Sequence, residues 1–101
     1  MTYAAFRSIG AYIPPKIMTN ADFEKIIDTS DEWITKRTGI KERRISEPDE
    51  ASSDLGARAA QVAIDRAGIA KEDIDLVICA TVTPDYLCMP STACLISAKI
   101  G

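Results

Sequence analysis

Trp33 and Arg37 stand four residues apart in a short segment that carries helix signals, so an indole and a guanidinium share one helical face. Such a pair can stack on a purine and bind a phosphate. The competing reading is a half-buried core tryptophan among solvated charges, since cation–π pairs are common on protein surfaces. Residues 36–44 hold five basic residues and one acid, about +4, and the remainder of the chain carries about −7. The three cysteines, Cys79, Cys88 and Cys94, are spaced by nine and six residues, which forms neither a disulfide framework nor a C-x-x-C motif. Cys79 sits in an apolar run and Cys94 on the expected inner face of a helix, so both read as small hydrophobes. Cys88 lies just before a helix start, where a thiol can be activated, but it has no visible partner base. The chain contains no histidine. A Ser-His or Cys-His nucleophile pair therefore cannot be assembled from these residues alone, and no metal site is expected. Asp and Glu show no paired spacing, and the glycines form neither a dinucleotide nor a triphosphate loop.

These residues must be positioned by an α/β succession of elements. The aromatic, apolar run from Tyr3 to Ile13, stopped by Pro14-Pro15, reads as a strand, with Gly10 at a bulge or a close backbone approach. Thr19 and Asn20 can cap a short helix, favoured by Asp22 and Glu24, whose Phe23, Ile26 and Ile27 share a face. Ser30 caps a second helix with Asp31 and Glu32 in its first turn, and Gly39 ends it. Residues 40–45 suit an edge strand or an extended loop. The clearest helix spans about 53–67, with Leu55, Ala59, Val62, Ala63 and Ala67 in one apolar stripe and Gly68 as its cap. So alanine-rich a stripe predicts close packing. The unbroken apolar run within residues 74–83 has the character of a central strand covered on both faces. Pro90, Ser91 and Thr92 then open a final helix. The fold class is α/β, and the central strand lacks obvious partners within the 101 residues.

Composition narrows the function further. A 101-residue chain that is 47% hydrophobic can build a packed core, and one domain is expected. The net charge of −3 argues against bulk binding to nucleic acid or acidic lipid. No run of apolar residues is long enough to span a membrane, and Met1 to Ile13 lacks the basic start and cleavage site of a secretory signal. The cytoplasm is the expected address.

Ile9-Gly-Ala-Tyr-Ile-Pro14, Thr19-Asn20, Asp28-Thr-Ser-Asp-Glu-Trp-Ile34 and Arg37-Thr-Gly-Ile-Lys-Glu-Arg43 together closely resemble β-ketoacyl-acyl carrier protein synthase III. The resemblance continues through Ala67-Gly-Ile69, Asp75-Leu-Val-Ile-Cys-Ala-Thr81 and Pro90-Ser-Thr-Ala-Cys94, so it covers the whole chain in register. It implies a thiolase-like fold of αβαβα layers, of which residues 1–101 would form part of the N-terminal half, truncated before the catalytic cysteine. It also implies a homodimer that condenses an acyl-CoA primer, often acetyl-CoA, with malonyl-acyl carrier protein to begin fatty-acid synthesis. Acyl-CoA is then a substrate, and no cofactor is implied. The family's nucleophilic cysteine, histidine and asparagine fall beyond Gly101, and Cys79, Cys88 and Cys94 do not match the nucleophile. By the same resemblance, Trp33 stacks on the coenzyme A adenine, Arg37 contacts the nucleotide portion and Thr29 hydrogen-bonds nearby. Met89 matches a position, often phenylalanine, that reaches across the dimer to border the partner's acyl pocket. Two alternatives are a polyketide-type priming enzyme of the same fold and a stand-alone α/β nucleotide-binding module.

Overall fold

Thr19 closes a short strand, β1 (Lys16–Thr19), and caps the helix that follows it, α1 (Asn20–Glu24). Its hydroxyl accepts a hydrogen bond from the Asp22 N–H (3.2 Å), and the Asp22 carboxylate accepts one from the Thr19 N–H (3.0 Å). This reciprocal box satisfies two N–H groups that a helix start otherwise leaves open. The computed structural model describes residues 3–101, which fall into two compact units: residues 13–49, and residues 3–12 together with 50–101.

In the 13–49 unit, α1 is followed by α2 (Asp31–Thr38) and by β2 (Glu42–Ile45). Ser30 caps α2 by accepting from the Trp33 N–H (3.1 Å). Gly39 ends it in the left-handed region at φ 71°, where a side chain would be strained, and donates its N–H to the Thr35 carbonyl (2.8 Å). Both signals match the sequence reading. The strands pair antiparallel, Lys16 opposite Ile45 and Thr19 opposite Glu42. The expected edge strand is therefore β2, but its partner lies after Pro14-Pro15, in residues the apolar pattern leaves without an element. Arg44 secures the entry to β1 by donating to the carbonyls of Pro14 (3.2 Å) and Pro15 (3.4 Å). The α1 face expected to continue through Ile26 and Ile27 stops at Glu24. Those two residues follow in a turn whose N–H groups both bond the Phe23 carbonyl, and both are exposed.

The other unit is organised by α3 (Ser52–Ala67) packed on α4 (Thr92–Ile100). Its buried hydrophobic residues are Ile64 on α3 and Ile96 on α4. The small-residue stripe of α3 allows the close approach expected of it. A Cβ built on Gly56 would lie 2.6 Å from Ile96 Cδ1. On Gly10 it would collide with the backbone of α3 at Ala59 O and Ala63 N. Gly10 is thus a close backbone approach, one of the two roles foreseen for it. Ser8 Oγ donates to the Ala63 carbonyl (2.6 Å) and Arg66 to the Ile9 carbonyl (2.9 Å), which holds residues 8–10 along the helix.

Three expectations are corrected here. Neither the 3–13 run nor the 74–83 run forms a ladder among the described residues, because a strand requires a neighbouring strand to take its N–H and C=O groups, and none lies beside either run. The second run still alternates as a strand would. Val77 and Cys79 are half-buried, whereas Leu76, Ile78 and Val82 are 74%, 83% and 98% exposed. One face is covered and the other is open. Cys94 is exposed rather than inward-facing, since α4 buries Thr92 and Ile96 instead, Ile96 against Gly56 of α3.

The two glycines separate backbone collision from side-chain crowding. Gly10→Ala forces a methyl against the helix backbone and should destabilise the fold by about 1–3 kcal/mol. Gly56→Ala meets only the tip of Ile96, which can change rotamer, and removes the helical glycine penalty of roughly 1 kcal/mol. Urea unfolding of both variants should rank Gly10→Ala well below Gly56→Ala. Equal losses would show that residues 8–10 do not lie on α3.

Candidate functional site

The connector between α1 and α2 and the first turn of α2 enclose an open depression of about 430 Å³, lined by Ile27, Asp28, Thr29, Ser30 and Trp33. Trp33 is 54% exposed, too open for a core residue. The Arg37 guanidinium carbon lies 4.7 Å from the indole centroid, as expected for residues one helical turn apart. Thr29, in the same lining, is half-buried. The structure therefore brings together Thr29, Trp33 and Arg37, the three residues singled out for nucleotide recognition. An exposed aromatic plane, a cation over it and an adjacent hydroxyl suit a flat, anionic ligand.

Hydrogen bonds rather than apolar burial position these side chains. None of the residues of α2 is buried. Its first residue is tied on both sides, because the Asp31 N–H donates to Glu24 Oε1 (2.6 Å) and the Asp31 carboxylate accepts from Asn20 Nδ2 (2.7 Å) and Thr35 Oγ1 (3.2 Å). The Asn20 amide, followed by the Thr35 hydroxyl, lowers the Asp31 pKa below its ordinary value. Sequence reasoning treats Thr19 and Asn20 alike as caps. Thr19 is the cap, whereas Asn20 is only 2% exposed. Asparagine caps a helix at least as well as threonine, so residue type alone does not set Asn20 apart.

Met89 belongs to the other unit, in the 84–90 loop, where it is 76% exposed and joined to Pro90 by a cis peptide bond. Asp85 anchors this loop, accepting from the Ser53 N–H (2.9 Å) and the Ser53 hydroxyl. All three cysteines are free: Cys88 and Cys94 are exposed and Cys79 is half-buried. Among the described residues, no group of three or more Cys, Asp or Glu side chains could hold a metal ion, and no helix is long and apolar enough to cross a membrane.

Similarity to known proteins runs through the whole chain. Over all 101 residues the chain is 84% identical to the β-ketoacyl-[acyl-carrier-protein] synthase III of Aliarcobacter butzleri (strain RM4018), covering 30% of that protein. Along its whole length this chain matches part of β-ketoacyl-acyl carrier protein synthase III. The synthase III of Sulfurovum sp. (strain NBC37-1) is 72% identical over 99 residues, 98% of this chain and 29% of that protein. Among solved structures, the Thermus thermophilus synthase III superposes with a TM-score of 0.83 at 51% identity, covering 97% of this chain and 30% of that one. The priming β-ketosynthase of the R1128 polyketide pathway also reaches 0.83, at 34% identity over 95% of this chain and 28% of its own. No family model matches the chain. The chain spans about 30% of the length of the curated relatives it matches. Its α/β fold is accordingly part of the thiolase-like fold of these enzymes.

Asp22 offers a pH test of the turn that leads into the depression. Hydrogen bonds from the Thr19 hydroxyl and then the Thr19 N–H, with Lys25 adding a third, lower its pKa from 3.8 to about 2. A carboxylate with a lowered folded pKa contributes stability that is present above its unfolded pKa and lost as pH falls through the folded one. The α1 cap should therefore hold above pH 3.8 and release as pH falls toward about 2. Following the Asp22 carboxyl carbon by NMR should give a midpoint well under 3.8. A midpoint at or above the ordinary value would mean that the capping box is not formed.

Proposed function

We propose that this chain supplies the acyl-CoA-recognising part of a β-ketoacyl-acyl carrier protein synthase III. Such an acyltransferase condenses an acyl-CoA primer, often acetyl-CoA, with malonyl-acyl carrier protein to begin fatty-acid synthesis, as a cytoplasmic homodimer. The observation that carries the reading is an exposed Trp33 with Arg37 over its ring, beside the Thr29 depression, in a chain 84% identical to a synthase III throughout. Adenine would stack on the part of the indole that Arg37 leaves open, and the guanidinium would meet the nucleotide phosphates. The Thr29 hydroxyl would fix the nucleotide by a hydrogen bond. Acyl-CoA is a substrate here and no further cofactor is involved. Met89 would border the partner subunit's acyl pocket and influence which primer fits. The R1128 priming enzyme supports a polyketide role as the second reading, but its 34% identity stands well below the 51% of the Thermus synthase at the same TM-score.

Nucleotide contacts far from the reacting thioester bind ground and transition states alike, and such uniform binding appears in KM rather than kcat. Aromatic stacking on a base contributes about 1–3 kcal/mol. Trp33→Ala in the synthase should therefore raise KM for acyl-CoA roughly 5- to 150-fold. Arg37→Ala should have a smaller effect that shrinks with added salt, since an exposed charge is screened. Neither substitution should change use of an acyl thioester that lacks the nucleotide. Equal losses with both primers would make Trp33 and Arg37 structural and reject the site.

The 101 residues alone contain no histidine and should not condense substrates. Intact-mass measurement after incubation with acetyl-CoA should find no acylated cysteine. Stoichiometric acetylation of Cys88 would contradict the absence of a nucleophile.

A further inference from the structure

Asn20 spends every polar atom of its side chain on the segments that flank α2. One amide hydrogen goes to Asp31 Oδ1 at the start of the helix (2.7 Å), with Thr35 Oγ1 further off at 3.4 Å. The other goes to the Ile40 carbonyl just past the Gly39 stop (2.8 Å). Its carbonyl oxygen accepts from Arg43 Nη2 on β2 (2.6 Å), and the Arg43 guanidinium lies 4.5 Å from the centre of the Phe23 ring on α1. At 2% exposure, water cannot replace these partners. The same side chain thus holds α2 at both ends and fastens it to α1 and β2. No residue of α2 is fully buried and Ile34 is its one half-buried apolar side chain, so apolar packing anchors the helix weakly if this one fails. The effect of the Asn20 amide on Asp31 is consistent with a tight contact to the ionised carboxylate.

We infer that Asn20 is a positioning residue for nucleotide recognition, setting the placement of α2 and hence of Trp33 and Arg37 relative to Thr29. This rests on the reading of the depression as the coenzyme A nucleotide site. Asn20 is neither among the residues lining the depression nor hydrogen-bonded through its side chain to any of them, so it acts through the helix. Removing its two donors lets α2 shift or rotate while the α1 cap, made by Thr19 and Asp22, remains.

The test is steady-state kinetics of the synthase with acyl-CoA and with a nucleotide-free acyl thioester, comparing Asn20→Asp, Asp31→Asn, the Asn20→Asp/Asp31→Asn swap and Trp33→Ala. Asn20→Asp keeps the acceptor for Arg43 but sets two carboxylates against each other, and should raise KM for acyl-CoA roughly 5- to 20-fold. Its kcat, and its use of the nucleotide-free thioester, should stay within about twofold of wild type. The swap restores a donor–acceptor pair between the two positions but leaves the Ile40 carbonyl without its donor, and should recover part of the lost affinity. Asp31 is exposed, so Asp31→Asn should fold even where Asn20→Asp does not. It takes away the carboxylate acceptor and should raise KM in the same selective way, by about threefold. If Trp33→Ala raises KM while Asn20→Asp and Asp31→Asn leave it unchanged, the positioning role is wrong and the nucleotide site stands. Equal losses with both primers, unrelieved by the swap, would reduce Asn20 to a structural residue. If Trp33→Ala has no effect, the nucleotide site itself is rejected, and this inference falls with it.

Discussion

A primary amide shut away from water must find partners for two hydrogens and one oxygen, and the 13–49 unit is arranged around that demand at Asn20. Leaving such groups unmade costs more than an ordinary hydrogen bond returns, so the requirement constrains the chain strongly. Asp31, the Ile40 carbonyl and Arg43 meet it from three different segments. A two-stranded ribbon and two short helices have little apolar area to organise them, and such a ribbon is marginal alone. Polar satisfaction does the organising instead. No buried side-chain nitrogen or oxygen is left without a partner among the described residues.

The second unit applies the same rule at the start of its long helix. Ala51 occupies the position before α3 and has no side-chain oxygen with which to cap it. The Asp54 carboxylate takes the Ala51 N–H (2.9 Å), and Asp85 takes that of Ser53 from 32 residues away. Ser53 is fully buried, so its hydroxyl also bonds Asp85, while Lys99 donates to Ser53 Oγ and to Asp54 Oδ1, each at 2.6 Å. Lys99 thereby lowers the Asp54 pKa, with the Ala51 N–H contributing next. One cluster joins the start of α3, the end of α4 and the loop that carries Met89. Burial of Ile64 and Ile96, with the close approaches at Gly10 and Gly56, completes a thin core.

The open faces follow from the same accounting. Leu76, Ile78 and Val82 lie on one side of an extended run whose other side is covered, and Phe6 is 98% exposed. Apolar runs of this kind are typical of strands covered on both faces. Homologues more than three times as long supply the context in which such a pattern is natural, since the chain matches 30% of the Aliarcobacter protein.

Features decided within about five residues were legible in the amino-acid order: the cap at Ser30, helix starts at residues 19–20 and 90–92, the glycine stops at Gly39 and Gly68, and the Trp33–Arg37 pair on one helical face. Each depends on a hydrogen bond or a helical repeat whose two members are near neighbours, so residue type and spacing suffice. The close approach at Gly10 was legible too, though only as one of two roles. Other features were settled by tertiary structure alone. They include the pairing of 16–19 with 42–45, the burial of Asn20, the remote cap from Asp85, the exposure of Cys94 and the absence of a ladder in two apolar runs. In each of these, the deciding partner lies far along the chain or must come from a neighbouring strand. Side-chain chemistry states what a residue needs, but only the folded chain determines which distant group is close enough to provide it.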